Sequence, residues 1–295
     1  MIQTAEVPWT AAAPRRGWLS TRHSLPIELA MVLGLYAVYE ATRGLVAGDT
    51  HVALRHAQDV VSLERSLHIF VEEPVQRAAL AVPGLMGTLG FAYLTFHLSL
   101  TAGLLLWLHR RHPASYPVVR TTLLFATALA VVGYVLFPTA PPRLSHVGIV
   151  DTVSDGRVDL NKGLVSSLYN PFAAVPSMHV GYALIVGASL ARYTPHLVTR
   201  LAGLAYPLFV LVVIVATGNH FLVDAAAGAA AAAIAFLAAR LLVTPWSTPR
   251  PAPPAARRSG SGNPGGITSL KSRATAKGDR DVQEHPRCVG WVRAR

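Results

Sequence analysis

Cysteine is nearly absent: the single one, Cys288, lies close to the end of the 295-residue chain. No intrachain disulfide can form, and no cysteine metal site is available. Charge is scarce too. Only 14% of the residues are Asp, Glu, Lys or Arg, against 52% hydrophobic residues and a mean hydropathy of +0.40. Soluble domains carry about 25% charged residues, so the shortage excludes an ordinary soluble domain and points to a membrane protein. The formal charge of +11 does not argue for nucleic acid as a partner. Residues 245–295 hold ten Lys/Arg and three Asp/Glu, a net +7, which leaves +4 for the other 244 residues. The basicity is a tail, not a groove. His-Glu-x-x-His is missing as well, as are, on the face of the candidate site, aspartates paired at ligand spacing, and Asp151, Asp155 and Asp159 lack the calcium-loop pattern. No metal and no cofactor are expected.

What is present is apolar sequence in long runs. Six stretches come near the roughly 20 residues a spanning helix needs: 25–47, 84–109, 118–138, 177–193, 198–217 and 220–243, the fourth being the shortest. The first 24 residues are polar and basic, and the apolar stretch after them is long enough to span, so it is expected to remain as an uncleaved helix. In the sixth stretch the run Ala225–Ala233 offers small side chains for close helix packing. Between the first two, Val60, Leu63, Leu67 and Phe70 recur at helical spacing beside polar residues. They predict an amphipathic helix, lying either in the membrane interface or on the outer rim of the bundle. From Thr244 onward the chain is rich in Pro, Ala, Arg, Gly and Ser, a composition that cannot bury enough apolar area to offset its ordering entropy. It is expected to be disordered.

Loop charges give an orientation. Arg15, Arg16 and Arg22, then Arg110, Arg111 and Arg120, then Arg192, Arg200 and the basic tail fall on one side with almost no acid. The opposite loops mix Arg55, Arg65, Arg77, Arg143, Arg157 and Lys162 with Asp49, Asp59, Glu64, Glu72, Glu73, Asp151, Asp155 and Asp159. Both termini are therefore expected in the cytoplasm, with Trp18, Trp107 and Trp246 at that interface. The domain reading is 1–24 as a cytoplasmic segment, 25–243 as the membrane domain and 244–295 as a cytoplasmic tail.

In that topology Arg143, Ser177, His179 and His220 gather on the opposite, non-cytoplasmic face. His220 and Asp224 are four apart at the mouth of an apolar helix, close enough to hydrogen-bond. Pro176-Ser177-Met178-His179 opens another such helix, whose first N–H groups suit a phosphate. Ser177 would add a hydroxyl donor and Arg143, after Pro141-Pro142, a planar fork for phosphate oxygens. His220 could attack phosphorus while Asp224 fixes its tautomer, and His179 could protonate the departing oxygen and then activate water or an alcohol. Each piece has a plainer reading. A histidine at a helix end is commonly an interfacial polar residue, a His–Asp pair can neutralise itself inside a bundle, and Arg143 can be a loop charge that meets headgroups. Glu40 and Arg43 read as a structural pair, His97 as a partner in an interhelical hydrogen bond, Lys162 as a solvated loop residue, and His109, His112 and His196 as interface residues.

Pro176-Ser177-Met178-His179 and His220-Phe221-Leu222-Val223-Asp224 resemble the motifs of the type 2 phosphatidic acid phosphatase (PAP2) superfamily, which includes vanadium-dependent haloperoxidases. Arg143 stands where that family's first motif has its arginine, 34 residues before Ser177, and 41 residues separate the histidines. The pattern departs at three places: Leu136 stands for a lysine, Leu144 for a proline and Ile214 for an arginine. With those changes, Pro141-Pro142-Arg143, the segment 170–179 and Gly218-Asn219-His220 look more like the branch of inositol phosphorylceramide synthases, which transfer a phosphoinositol head group between lipids. The resemblance implies His220 as nucleophile through a phosphohistidine, His179 as acid, Asp224 orienting His220, Arg143 and Ser177 on phosphate, and no metal.

The expectation is thus an all-α integral membrane six-helix bundle of PAP2/haloperoxidase type. It would cleave a phospholipid or lipid-phosphate substrate at the outer face of the cytoplasmic membrane, as a lipid phosphatase or as an inositolphosphotransferase-like enzyme. A non-catalytic lipid-binding or transport bundle is the alternative. It would spread polar residues through the depth of several helices, whereas here they gather at one end.

Overall fold

The structure, a computed structural model, describes residues 23–31, 33, 34, 37, 50–152 and 172–243. Expectations for Glu40, Arg43, Lys162, Trp18, Trp246 and the tail 244–295 lie outside these residues. The described residues are helical, with no strand among them. After a partly described helix that begins at residue 25 come α1 (Thr50–Ser66), α2 (Glu72–Leu80), α3 (Leu85–Arg111), α4 (Tyr116–Leu136), a 3-10 turn at Pro142–Leu144, α5 (Met178–Tyr193), α6 (Leu197–Ala216) and α7 (Leu222–Val243).

Local chemistry explains the boundaries. In α2, Glu72 and Glu73 lie in the first turn and Arg77 in the last, matching the helix dipole. Pro117 sits in the first turn of α4, where its missing N–H costs nothing. His112, just before Pro113, leaves the helical region and ends α3. His68 takes φ +58 and breaks the chain between α1 and α2.

Among the described residues four helices are long and apolar enough to cross a membrane: α3, α4, α6 and α7. Their boundaries fall within two residues of the stretches read from sequence. Leu98, Leu204, Leu208, Leu237 and Leu241 on three of them are exposed, as expected of side chains that face lipid. The stretch at 177–193 forms a 16-residue helix, about 24 Å long at 1.5 Å per residue, short of the ~30 Å hydrocarbon core. It is the central helix, packed against α3, α4, α6 and α7.

Small residues let these helices meet, as the alanine run suggests. Ala225, Gly228, Ala231 and Ala232 of α7 are buried. A Cβ on Gly228 would lie 2.0 Å from the Ser177 carbonyl oxygen, and one on Gly187 would lie 2.3 Å from the Gly203 carbonyl oxygen. Backbone thus rests on backbone at the start of α5 and at its crossing with α6.

Two sequence expectations change here. The buried stripe of α1 is Ala53, Ala57, Val60, Val61 and Glu64, packed with Ala140 and Phe221, while Leu63 and Leu67 are exposed. Leu63 lies about 100° around the helix from Glu64, beside that stripe, and Leu67 follows the end of α1. Arg120 is not a free loop charge. It sits inside α4, buried, with Nη1 donating to Glu28 Oε1 at 2.9 Å, and the Tyr116 hydroxyl donates to Glu28 Oε2 at 3.0 Å.

Gly228→Ala should lower the melting temperature of the purified protein, because backbone and not a flexible side chain blocks the new methyl. A cost of about 1–3 kcal/mol is expected. An unchanged melt would show that α5 and α7 can separate freely.

Candidate active site

The site forms where α5, α7 and the loop after α4 meet. Thr139 joins α4 to the segment before α5: its N–H donates to Phe172 O (2.9 Å), and Ala174 N–H donates back to Thr139 O (3.3 Å). Ser177 N–H donates to Asp224 O at 2.9 Å, tying the start of α5 to the first turn of α7. Gly218 adopts φ +65, a conformation that favours glycine, and a Cβ there would lie 2.6 Å from Ile149 Cγ2. Its turn presents Asn219 and His220.

His220 is buried, and its Nδ1 lies 3.0 Å from the carbonyl oxygen of Ala174 and 3.4 Å from Asp224 Oδ2. A carbonyl only accepts, so Nδ1 carries the proton and Nε2 holds the lone pair. The sequence assigns control of the tautomer to Asp224; the shorter contact is to Ala174, with the carboxylate as a longer second partner. Asp224 Oδ2 also accepts from Phe221 N–H at 2.9 Å, the return half of a capping box.

The ring of His179 lies 5.4 Å, centroid to centroid, from that of His220. Tyr93 stacks on it at 4.4 Å and His97 tilts against it at 4.2 Å, both from α3. His179 Nε2 is buried with no hydrogen-bond partner among the described residues. His97 itself bonds within its own helix, Nδ1 to Tyr93 O at 3.2 Å, so its link to α5 is a ring contact and not the expected interhelical hydrogen bond. A narrow cavity between α3 and α6, lined by Tyr93, Phe96, His97, Phe209 and Ile214, reaches His179. A larger surface recess along α1, beside His51 and Arg55, is lined among the described residues by that helix and contains none of these groups.

Ser177 is the N-cap residue of α5, yet its side chain makes no capping bond; its Oγ is buried and unpartnered among the described residues. Arg143 is fixed against the His220 turn. Its N–H donates to Gly218 O (2.9 Å), its Nε to Asn219 Oδ1 (3.0 Å) and its Nη1 to Asp151 Oδ2 (2.6 Å). The structure therefore brings both imidazoles, Asp224, Ser177 and Arg143 to one end of the bundle. Among the described residues no group of three or more His, Cys, Asp or Glu could hold a metal ion.

The sequence does not reveal two more carboxyls. Glu72 Oε1 accepts from Leu222 N–H (3.0 Å) and Glu64 Oε1 from Val223 N–H (2.7 Å), and both side chains are fully buried. With Asp224 on Phe221, the residue just before α7, three successive N–H groups at the start of the helix each receive a carboxyl oxygen. A signal existed: Ala53, Ala57, Val60 or Val61 and Glu64 share one face of α1, which puts an acid on a buried stripe. Burial pushes the Glu64 carboxyl up from its ordinary 4.5 to about 8, with Glu72 and Asp224 adding to it and the Val223 N–H opposing it.

The sequence model described as the PAP2 superfamily matches residues 58–238, well over half of the chain and a span that holds every residue of this site. The chain belongs to that superfamily. No curated protein and no solved structure matches it.

Between pH 4.5 and about 8 the folded protein keeps a proton on Glu64 that the unfolded chain has released. This contribution to stability is complete below the lower value and lost as pH rises through the upper one. Melting temperature should therefore fall across that window, and Glu64→Gln should flatten the fall. An identical slope in the variant would refute this role for Glu64.

Proposed function

We propose that this PAP2 superfamily protein is an integral membrane enzyme that cleaves a lipid-linked phosphate ester through a phosphohistidine at His220. One observation carries the reading: Nδ1 of His220 is committed to Ala174 O, and the unpartnered Nε2 of His179 belongs to a ring 5.4 Å away. In the first half-reaction the lone pair on His220 Nε2 forms the N–P bond as the P–O bond to the leaving group breaks. His179, protonated, gives its proton to that oxygen. In the second, His179 takes a proton from water or an acceptor alcohol, whose oxygen attacks phosphorus and releases His220. Water makes the enzyme a phosphatase, and an alcohol makes it a head-group transferase. Arg143 and the Ser177 hydroxyl hold the phosphate oxygens, and Asp224 favours the positive charge that develops on His220.

The transferase branch, like that of the inositol phosphorylceramide synthases, is favoured by two cations that the chain lacks. Where two cations would meet a dianionic monoester, the chain has Leu136, largely exposed, and Ile214, fully buried. A phosphodiester head group, with one negative charge, needs less compensation.

The membrane reading adds the stretch at 25–47 and α5 to the four apolar helices, giving six spans in the cytoplasmic membrane. Both termini are cytoplasmic and the site faces outward. Exposed Leu63 on α1 and Leu67 just after it would then rest in the outer interface.

The purified protein should be given phosphatidic acid, a lipid pyrophosphate or phosphatidylinositol, each with and without an acceptor alcohol. Free phosphate marks hydrolysis, and a new phosphodiester marks transfer. His220→Ala should abolish turnover, and surviving activity removes it as nucleophile. Asp224→Asn should cost on the order of 10²-fold, less than the roughly 10⁴ seen when a carboxylate alone sets the tautomer, because Ala174 O still holds Nδ1. Vanadate should inhibit.

A further inference from the structure

Asp151 is held in place more firmly than a loop acid needs to be. Its neighbour Val150 is clamped on both backbone groups by one buried side chain: Val150 N–H donates to Gln76 Oε1 (2.8 Å), and Gln76 Nε2 donates to Val150 O (2.9 Å). Nearby, Gln58 Nε2 donates to Ser145 O at 3.0 Å. Helices α1 and α2 thus pin the loop that carries both members of the Arg143–Asp151 pair. The pair is short, at 2.6 Å, and the guanidinium is fully buried while the carboxylate keeps 23% exposure.

A carboxylate fixed on a guanidinium lowers the positive potential that the guanidinium offers to a third group, and burial weakens solvent screening of that effect. Its repulsion of a bound phosphate grows with the phosphate's charge. A phosphomonoester near neutral pH carries between one and two negative charges, with a second pKa of about 6, whereas a phosphodiester carries one. Neither Leu136 nor Ile214 can offset the difference. We propose that Asp151 is a specificity-determining residue, which sets the phosphate pocket for a phosphodiester monoanion and against a phosphomonoester dianion. It discriminates by a built-in repulsive element, in addition to any attraction for the preferred ligand. The inference rests on the reading above, in which Arg143 receives the phosphate of the substrate.

The test compares kcat/KM for phosphatidic acid, a monoester, and phosphatidylinositol, a diester with matched acyl chains, using the full chain in mixed micelles at one pH above 7. Asp151→Asn keeps the size and an acceptor oxygen for Arg143 but removes the charge. It should raise the monoester-to-diester ratio on the order of tenfold or more, or create monoester turnover where the wild type shows none. Asp151→Glu, which keeps the charge, should hold the wild-type ratio. A ratio in Asp151→Asn that stays at the wild-type value overturns the proposal, whether both rates fall together, as for a mere strut, or neither changes. If Asp151→Asn does not fold, Asp151→Ser carries the same comparison. A wild-type protein that turns over neither lipid, with or without an acceptor alcohol, removes this inference, and one that also leaves a lipid pyrophosphate intact removes the proposed function with it. Turnover by the wild type with an unresponsive ratio removes Asp151 alone.

Discussion

Three N–H groups at the start of α7 are met by three buried carboxyls from different parts of the chain. Asp224 reaches back to Phe221, Glu72 reaches Leu222 and Glu64 reaches Val223. A buried helix end left bare would cost free energy for each orphan donor. The acids remove that cost and pull α1 and α2 onto the membrane helices. They also place His220, the residue before the capped turn, at a fixed distance from α5. Acids buried in this way cannot all be ionised without penalty, so the corner retains a proton on Glu64.

The second constraint is backbone contact. α5 starts against Gly228, through the Ser177 carbonyl, and crosses α6 at Gly187 and Gly203. In lipid there is little hydrophobic gain from bringing apolar helices together, so close van der Waals approach carries the association. The same closeness positions the site. Ser177 N–H reaches Asp224 O, and His179, two residues on, comes beside His220. Packing and site geometry share the same atoms.

Much of this was legible in the sequence because it is local. His220 and Asp224 are one helical turn apart, Ser177 and His179 flank a helix start, and apolar length located, within two residues, four helices long and apolar enough to cross a membrane. What stayed hidden depends on partners distant in the chain. Glu64 and Glu72 reach helix positions 159 and 150 residues away, and Arg120 looks like a loop charge until Glu28, 92 residues earlier, is placed against it. Ala174 as a partner of His220 was not readable either, since a backbone carbonyl leaves no trace in residue identity. Asp151 was visible only as one of three evenly spaced acids. Its place beside Arg143 depends on Gln76 of α2, which holds the neighbouring Val150.

The ion pair between Glu28 and Arg120 bears on how the protein is assembled. Each member alone would be an uncompensated charge in an apolar setting, a far worse state than the pair. Within its own segment Glu28 has the His23 N–H on Oε1, and the rest of its compensation comes from Tyr116 and Arg120 of α4, made much later in the chain. The N-terminal segment and α4 thus each hold half of one buried ion pair, and parting them would cost both ions that compensation.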